Sequence, residues 1–276
     1  MERAHNRRAR AFHWLALIVV VSLAWSCSTV PLTGRRQLNI IPESEMLSTS
    51  FQQYGDFVKQ NKISTDPQAG QLVRTVGLRI KGAVERYMSQ NGLSDRLNGY
   101  AWEFNLVESE EVNAWCMPGG KVVVYTGILP VTRDEPGLAV VLGHEIAHAI
   151  AQHGNERMSQ QLLAQFGGAA LSEMIKDKPA QTQQLWMGAF GAGAQYGVLL
   201  PFSRTHESEA DHLGLIFMSM AGYDPHVALD FWQRMAASNK GQAPPQFLST
   251  HPADETRIAD IRDHMTEAMQ YYHPGQ

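Results

Sequence analysis

The stretch Gly143-His144-Glu145-Ile146-Ala147-His148 constrains this chain more than any other. Two histidines four residues apart on a helix project from one face, one turn apart, so their ring nitrogens can converge on a single cation. That is half of a zinc site. Glu145 follows the first histidine, where its carboxylate can take a proton from water polarised by the metal without being a ligand itself, so it is the candidate general base. The flanks from Asp134 to Met158 read as a helix. Pro136 suits a first turn, and Leu138, Leu142, Ile146, Ala149 and Ile150 keep an apolar period of 3.6. The competing reading is a helix whose two histidines are satisfied by ordinary hydrogen bonds. Burying His144, Glu145 and His148 in so apolar a turn is costly without a metal.

A catalytic zinc takes three protein ligands and keeps one position open. The run Ser203 to His212 supplies candidates for the third. Glu207 and Asp211, at i and i+4, share a helix face with Ala210 and Gly214, whose small side chains let this helix approach the first. Glu207 is therefore the expected metal ligand, and Asp211 the acceptor that orients a liganding histidine. Glu209 projects about 160° away from Glu207 around the helix axis. His206 and His212 lie off the small-residue face and read as surface residues. His153, five positions past His148, is rotated off the ligand face and suits a cap or a salt bridge.

The 276 residues, 44% of them hydrophobic, suffice for one catalytic domain with extensions, and a net charge of -4 gives no sign of a nucleic-acid partner. Arg3, Arg7, Arg8 and Arg10 precede an apolar run from Phe12 to Trp25, which is short for a membrane span and fits the core of an export signal over residues 1–26. It ends at Leu23-Ala24-Trp25-Ser26-Cys27, which resembles the lipobox of bacterial lipoproteins and implies acylation at Cys27. An uncleaved N-terminal anchor is the alternative. Residues 27–42 read as a tether and 43–276 as the catalytic domain. With two cysteines there is no disulfide framework, and Cys116 reads as a half-buried strand residue.

Helices are expected from Pro42-Glu43 to about Gln60 and after Asp66-Pro67, the latter with the stripe Leu72, Val73, Val76, Ile80, Val84 and Met88. From Ala101 the period becomes two, and 102–107, 112–117 and 121–125 read as strands of a small antiparallel sheet beside the metal helix. The edge of such a sheet can accept an extended peptide as one more strand. Residues 159–200 carry two apolar helical patches around Lys176-Asp177-Lys178-Pro179, neither long enough to span a bilayer. They read as a mobile helical hairpin packed over the cleft or against a membrane surface. The fold class expected is α+β, mainly helical.

H-E-I-A-H followed by S-R-T-H-E-S-E-A-D resembles the M48 metallopeptidases, a gluzincin family that includes heat-shock membrane proteases and CAAX-prenyl endopeptidases. The resemblance implies a zincin-like domain holding one Zn²⁺ per chain on His144, His148 and Glu207, with Glu145 catalytic and Asp211 supporting. P-L-T-G-R-R-Q-L up to Leu38, N-A-W-C-M-P-G-G, and Thr250-His251-Pro252 with Arg257 beyond are similar to the bacterial periplasmic lipoprotein branch. That branch implies a metalloendopeptidase of envelope quality control acting on misfolded envelope proteins, anchored by lipid on Cys27 to the outer membrane or else the inner one. It also implies that His251 approaches the metal, as a self-inhibitory plug or as a group that stabilises the tetrahedral intermediate. On its own setting, His251 also reads as a cap at a surface turn. A binding factor of a different class, a chaperone-like protein that holds unfolded outer-membrane proteins and seldom cleaves them, is the functional alternative.

Overall fold

The computed structural model describes residues 27–195, 199–238, 246–252 and 255–274, and the expected export signal at 1–26 lies outside the described residues. Residues 27–42, expected as a tether, instead contain strands β1 (Cys27–Thr29) and β2 (Arg36–Leu38), an antiparallel pair with Cys27 opposite Leu38. Val30 and Gln37 are buried, and Ile40 N donates to Ser159 Oγ at 2.9 Å. The Pro- and Gly-containing composition that suggested a tether encodes a tight reversal instead, since turns and linkers draw on the same residues.

Helix α1 (Glu43–Gln60) is followed by α2 (Pro67–Gln90). Asp66 caps α2, its carboxylate accepting from Gln68 N at 2.9 Å and Ala69 N at 3.0 Å. The expected stripe is real: Val73, Val76, Ile80, Val84 and Met88 are fully buried. Strands β3 (Glu103–Val107), β4 (Ala114–Met117) and β5 (Lys121–Tyr125) form one sheet in the order β3-β5-β4. β4 and β5 are the expected antiparallel hairpin, turning through Gly119 and Gly120 at φ +85° and +81°. β3, however, joins β5 in parallel, so the sheet is mixed rather than antiparallel. Residues 108–113 carry the chain past β5 to its far side, where β4 becomes an edge strand.

After the short helix α3 (Leu129–Thr132) comes α4 (Glu135–Ile150), the helix of the histidine motif. Asp134 caps it, accepting from Gly137 N at 2.8 Å. Every residue from Gly137 to Ala147 is buried, so α4 is a central helix enclosed on all faces, not an amphipathic one with a wet side. It packs on α2, β4 and two later helices, α7 (Leu200–Met220) and α8 (Val227–Ser238). The α4–α7 contact is backbone to backbone: a Cβ on Gly214 would lie 3.0 Å from Gly143 C, and one on Gly143 would lie 2.9 Å from Gly214 O. Between them in sequence come α5 (His153–Ile175) and α6 (Ala180–Ala194), which contact each other and leave Phe166, Met174, Leu185 and Trp186 exposed. Among the described residues no helix is long and apolar enough to cross a membrane. Helices α9 (Gln246–Thr250) and α10 (Glu255–Ala268) close the site.

Candidate metal centre

Because α4 and α7 touch at Gly143 and Gly214, the carboxylate of Glu207, two turns earlier on the same face of α7, reaches the histidine pair. Its Oε2 lies 3.4 Å from His144 Nε2, and its Oε1 lies 3.3 Å from His148 Nε2. The two Nε2 atoms are 3.1 Å apart. His251, which follows α9, adds a fourth donor: its Nδ1 is 3.1 Å from His144 Nε2 and 2.8 Å from Glu207 Oε2. These four residues could hold a metal ion between them. Donors about 2.0–2.2 Å from a tetrahedral zinc lie roughly 3.3 Å from one another, so the observed spacing suits that ion.

The orientation of each ring follows from what lies behind it. Arg257 grips Asp211 with Nε on Oδ2 and Nη2 on Oδ1, both at 2.7 Å, while its guanidinium stacks 3.4 Å over the Trp232 ring. Asp211 is thus an ionised, buried acceptor, and its Oδ1 takes the Nδ1 proton of His144 at 2.9 Å. In a neutral His144, the form that binds a metal, that leaves the Nε2 lone pair facing the cluster. Burial opposes protonation of His144, but Asp211 and Glu207 outweigh it and raise its pKa to about 9, whereas burial drives His148 well below its ordinary value. Burial would raise Glu207, yet the adjacent His148 and His144 hold it well down. Glu207 is therefore an ionised carboxylate beside the two rings.

Glu145 completes the site without joining the cluster. It is buried, which raises its pKa, and its Oε1 has no hydrogen-bond partner; His251 Nε2 stands 3.4 Å away. An orphaned carboxylate oxygen at this place is what a water between Glu145 and a metal would satisfy. A cleft of about 840 Å³ opens here, lined on one side by Trp115, Cys116 and Met117 of β4 and on the other by Glu145, His148 and His251. Tyr125 N donates to Asn113 O, so the alternation of an antiparallel pair leaves the N–H and C=O of Cys116 pointing to the free edge of β4.

All six residues singled out from the sequence, His144, Glu145, His148, Glu207, Asp211 and His251, come together. Glu209 faces away from the cluster, as its helical position requires. His206 is not a surface residue: it is buried and its Nε2 lies 2.8 Å from Glu156 Oε2. His153 stands outside the cluster but touches a member of it. The helix breaks at Gln152, which has φ +57°, and this turn brings His153 Nδ1 to 2.8 Å from His148 Nδ1. Arg257 carries no local signal of its role, since it sits in an ordinary amphipathic pattern 46 residues from Asp211.

The model of Peptidase family M48 matches residues 77–265, more than half of the chain. The chain is 32% identical to the mitochondrial metalloendopeptidase OMA1 of Schizosaccharomyces pombe, over 96% of this chain and 75% of that protein. It is 32% identical to a β-barrel assembly-enhancing protease of Yersinia pestis over 79% of this chain, and 29% identical to the mitochondrial metalloendopeptidase OMA1 of Homo sapiens over 92%. It spans only 46% and 49% of those two proteins. These relatives overturn the expected placement at the outer membrane through a lipid on Cys27, because mitochondrial enzymes match almost the whole chain at the same level as a bacterial one. Relatives found on both sides of that divide carry no location. What they do carry is descent and chemistry: the chain belongs to peptidase family M48 and contains a zinc-dependent metalloendopeptidase domain.

Proposed function

We propose that this chain cleaves extended segments of polypeptide, with His144, His148 and Glu207 holding zinc and Glu145 as general base. The observation that carries the reading is the buried Oε1 of Glu145, which accepts no hydrogen bond, beside donors spaced for a tetrahedral ion. Zinc bound there supplies Lewis acidity, which acidifies water and polarises a peptide carbonyl. Glu145 takes the proton of the attacking water and returns it to the leaving amine, and its raised pKa suits both halves of that task. Asp211, held by Arg257, keeps the His144 Nε2 lone pair on the metal side.

His251 stands at the fourth corner of the donor set, where substrate has to enter. In this role it is a plug that a bound peptide displaces. The free edge of β4 supplies the peptide's docking line: backbone groups of Cys116 pair with an extended strand, which positions a scissile amide at Glu145 without demanding a side-chain sequence. Such a site favours proteins that are misfolded or locally unfolded, and we place its use in protein quality control.

The test is Glu145→Gln in the full chain, assayed with an unstructured, internally quenched polypeptide. Zinc content stays at one per chain while cleavage falls at least ~100-fold, the scale of a lost general base. Cleavage at the original rate would end the assignment.

A further inference from the structure

We infer that Arg35, in the turn between β1 and β2, positions His148 for metal binding through Glu209 and His153, which makes the N-terminal hairpin part of the metal centre. The inference rests on the zinc reading of His148.

One guanidinium serves two buried carboxylates. Arg35 Nη1 and Nη2 donate to Glu156 Oε1 and Oε2 at 2.8 and 2.7 Å. Its Nε and Nη2 donate to Glu209 Oε1 and Oε2 at 2.8 and 2.9 Å. Thr33 Oγ1, two residues before, adds a bond to Glu209 Oε1 at 2.9 Å. The side chains of Glu156 and Glu209 are only 1% and 7% exposed, so the pair can stay ionised there because the guanidinium compensates both. The hairpin that carries Arg35 is stitched to α5 as well: Asn39 Nδ2 donates to Gln152 Oε1 at 2.7 Å, and Asn155 Nδ2 donates to Ile41 O at 2.8 Å.

From Glu209 the geometry runs to the metal ligand. An ionised carboxylate only accepts, so the nitrogen of His153 that lies 3.1 Å from Glu209 Oε2, its Nε2, carries the proton. The other nitrogen of a neutral His153, Nδ1, is then a lone pair. It lies 2.8 Å from His148 Nδ1, which must therefore be the donor. With its proton committed to Nδ1, His148 presents a bare Nε2 to His144 and Glu207 at 3.1 and 3.3 Å. His153 is held flat for this by His206, stacked at 4.3 Å and 14°, which is itself bonded to Glu156. Both imidazoles of the α4 pair are thus backed by an arginine–carboxylate pair. Arg257 and Asp211 stand directly behind His144, while Arg35 and Glu209 stand one imidazole further behind His148. Without the guanidinium, Glu209 and Glu156 repel each other, Glu209 leaves His153, and the His148 ring loses the contact that sets its tautomer.

The experiment measures zinc affinity of the full chain by competition with a chromophoric chelator, together with the ligand-field absorption of the Co²⁺-substituted protein. Arg35→Gln and His153→Leu each weaken zinc about 10–100-fold, the usual cost of losing a group that orients a liganding histidine, and each shifts the cobalt bands. In the His153→Leu background, Arg35→Gln adds little further loss, because its route to His148 is already cut. Glu209→Gln, the same size as the native residue, repeats the loss should Arg35→Gln fail to fold. The inference is overturned if Arg35→Gln lowers the melting temperature while zinc affinity and cobalt spectrum stay as in the parent, or if the two losses add in full. Failure of the parent chain to bind zinc would instead remove the metallopeptidase reading, and the two failures cannot be confused.

Discussion

Gly143 and Gly214 meet backbone to backbone where α4 crosses α7, and the reach of Glu207 to the histidines depends on that contact. A methyl at Gly214 would sit 3.0 Å from both Gly143 C and His144 N, atoms that cannot move aside as a side chain would. Gly214→Ala gains up to ~1 kcal/mol of helix propensity, yet overpacking costs about 1–3 kcal/mol and forces the helices apart. The expected result is a lower urea midpoint and weaker zinc binding in the same variant. A raised midpoint with native zinc affinity would show that the helices are not in limiting contact.

Glu207 lies against all three imidazoles of the cluster, whereas the contact of Glu145 with it is to His251, at 3.4 Å, so the two carboxylates separate cleanly in assay. Glu207→Ala is expected to lose zinc on dialysis against a mild chelator and to lose cleavage with it, while Glu145→Gln keeps the metal. Metal analysis after dialysis checks this, and equal zinc retention in the two variants would dismiss Glu207 as a ligand.

His251→Ala opens the fourth corner. Its ring packs on His144, His148 and Phe247 and its nitrogens face Glu207 and Glu145, all but Phe247 being groups of the site itself, so the removal of the ring is expected to act on the site more than on the fold. The variant should keep its melting temperature and its zinc, and cleave a short unstructured peptide several-fold faster than the parent. If it unfolds and sheds zinc together, the fourth donor closes a structural site and the plug reading fails.

The histidine pair, Glu207 and Asp211 were legible because helical spacing converts sequence distance into direction: four residues bring a side chain back to the same face. The same rule identified the buried stripe of α2 and the outward turn of Glu209. It could not say which edge of β5 would receive β3, since a strand's period of two is identical in parallel and antiparallel pairs. Nor could it reach His153, where one left-handed residue, Gln152, replaces helical continuation by a fold-back. Arg35 and Arg257 act across separations of 174 and 46 residues, and an arginine beside no patterned partner looks like any solvated charge until the chain is folded.

Glu156 ties the N-terminal hairpin to α7 and gives that joint a pH dependence of definite sign. Burial would raise its pKa, but Arg35 and His206 outweigh it and lower the value from 4.5 to about 2. In the window between those values the unfolded chain binds a proton that the folded one refuses, so acid favours unfolding there. The stabilisation is complete above the unfolded value and disappears as pH falls through the folded one, with an upper bound of about 3 kcal/mol at 1.36 kcal/mol per unit. Glu156→Gln should therefore be less stable than the parent at neutral pH, and its urea midpoint should fall less steeply between roughly pH 5 and pH 3. Parallel midpoint curves for the two proteins would mean that Arg35 does not hold this carboxylate ionised in solution, and that the hairpin is docked by its backbone and apolar contacts alone.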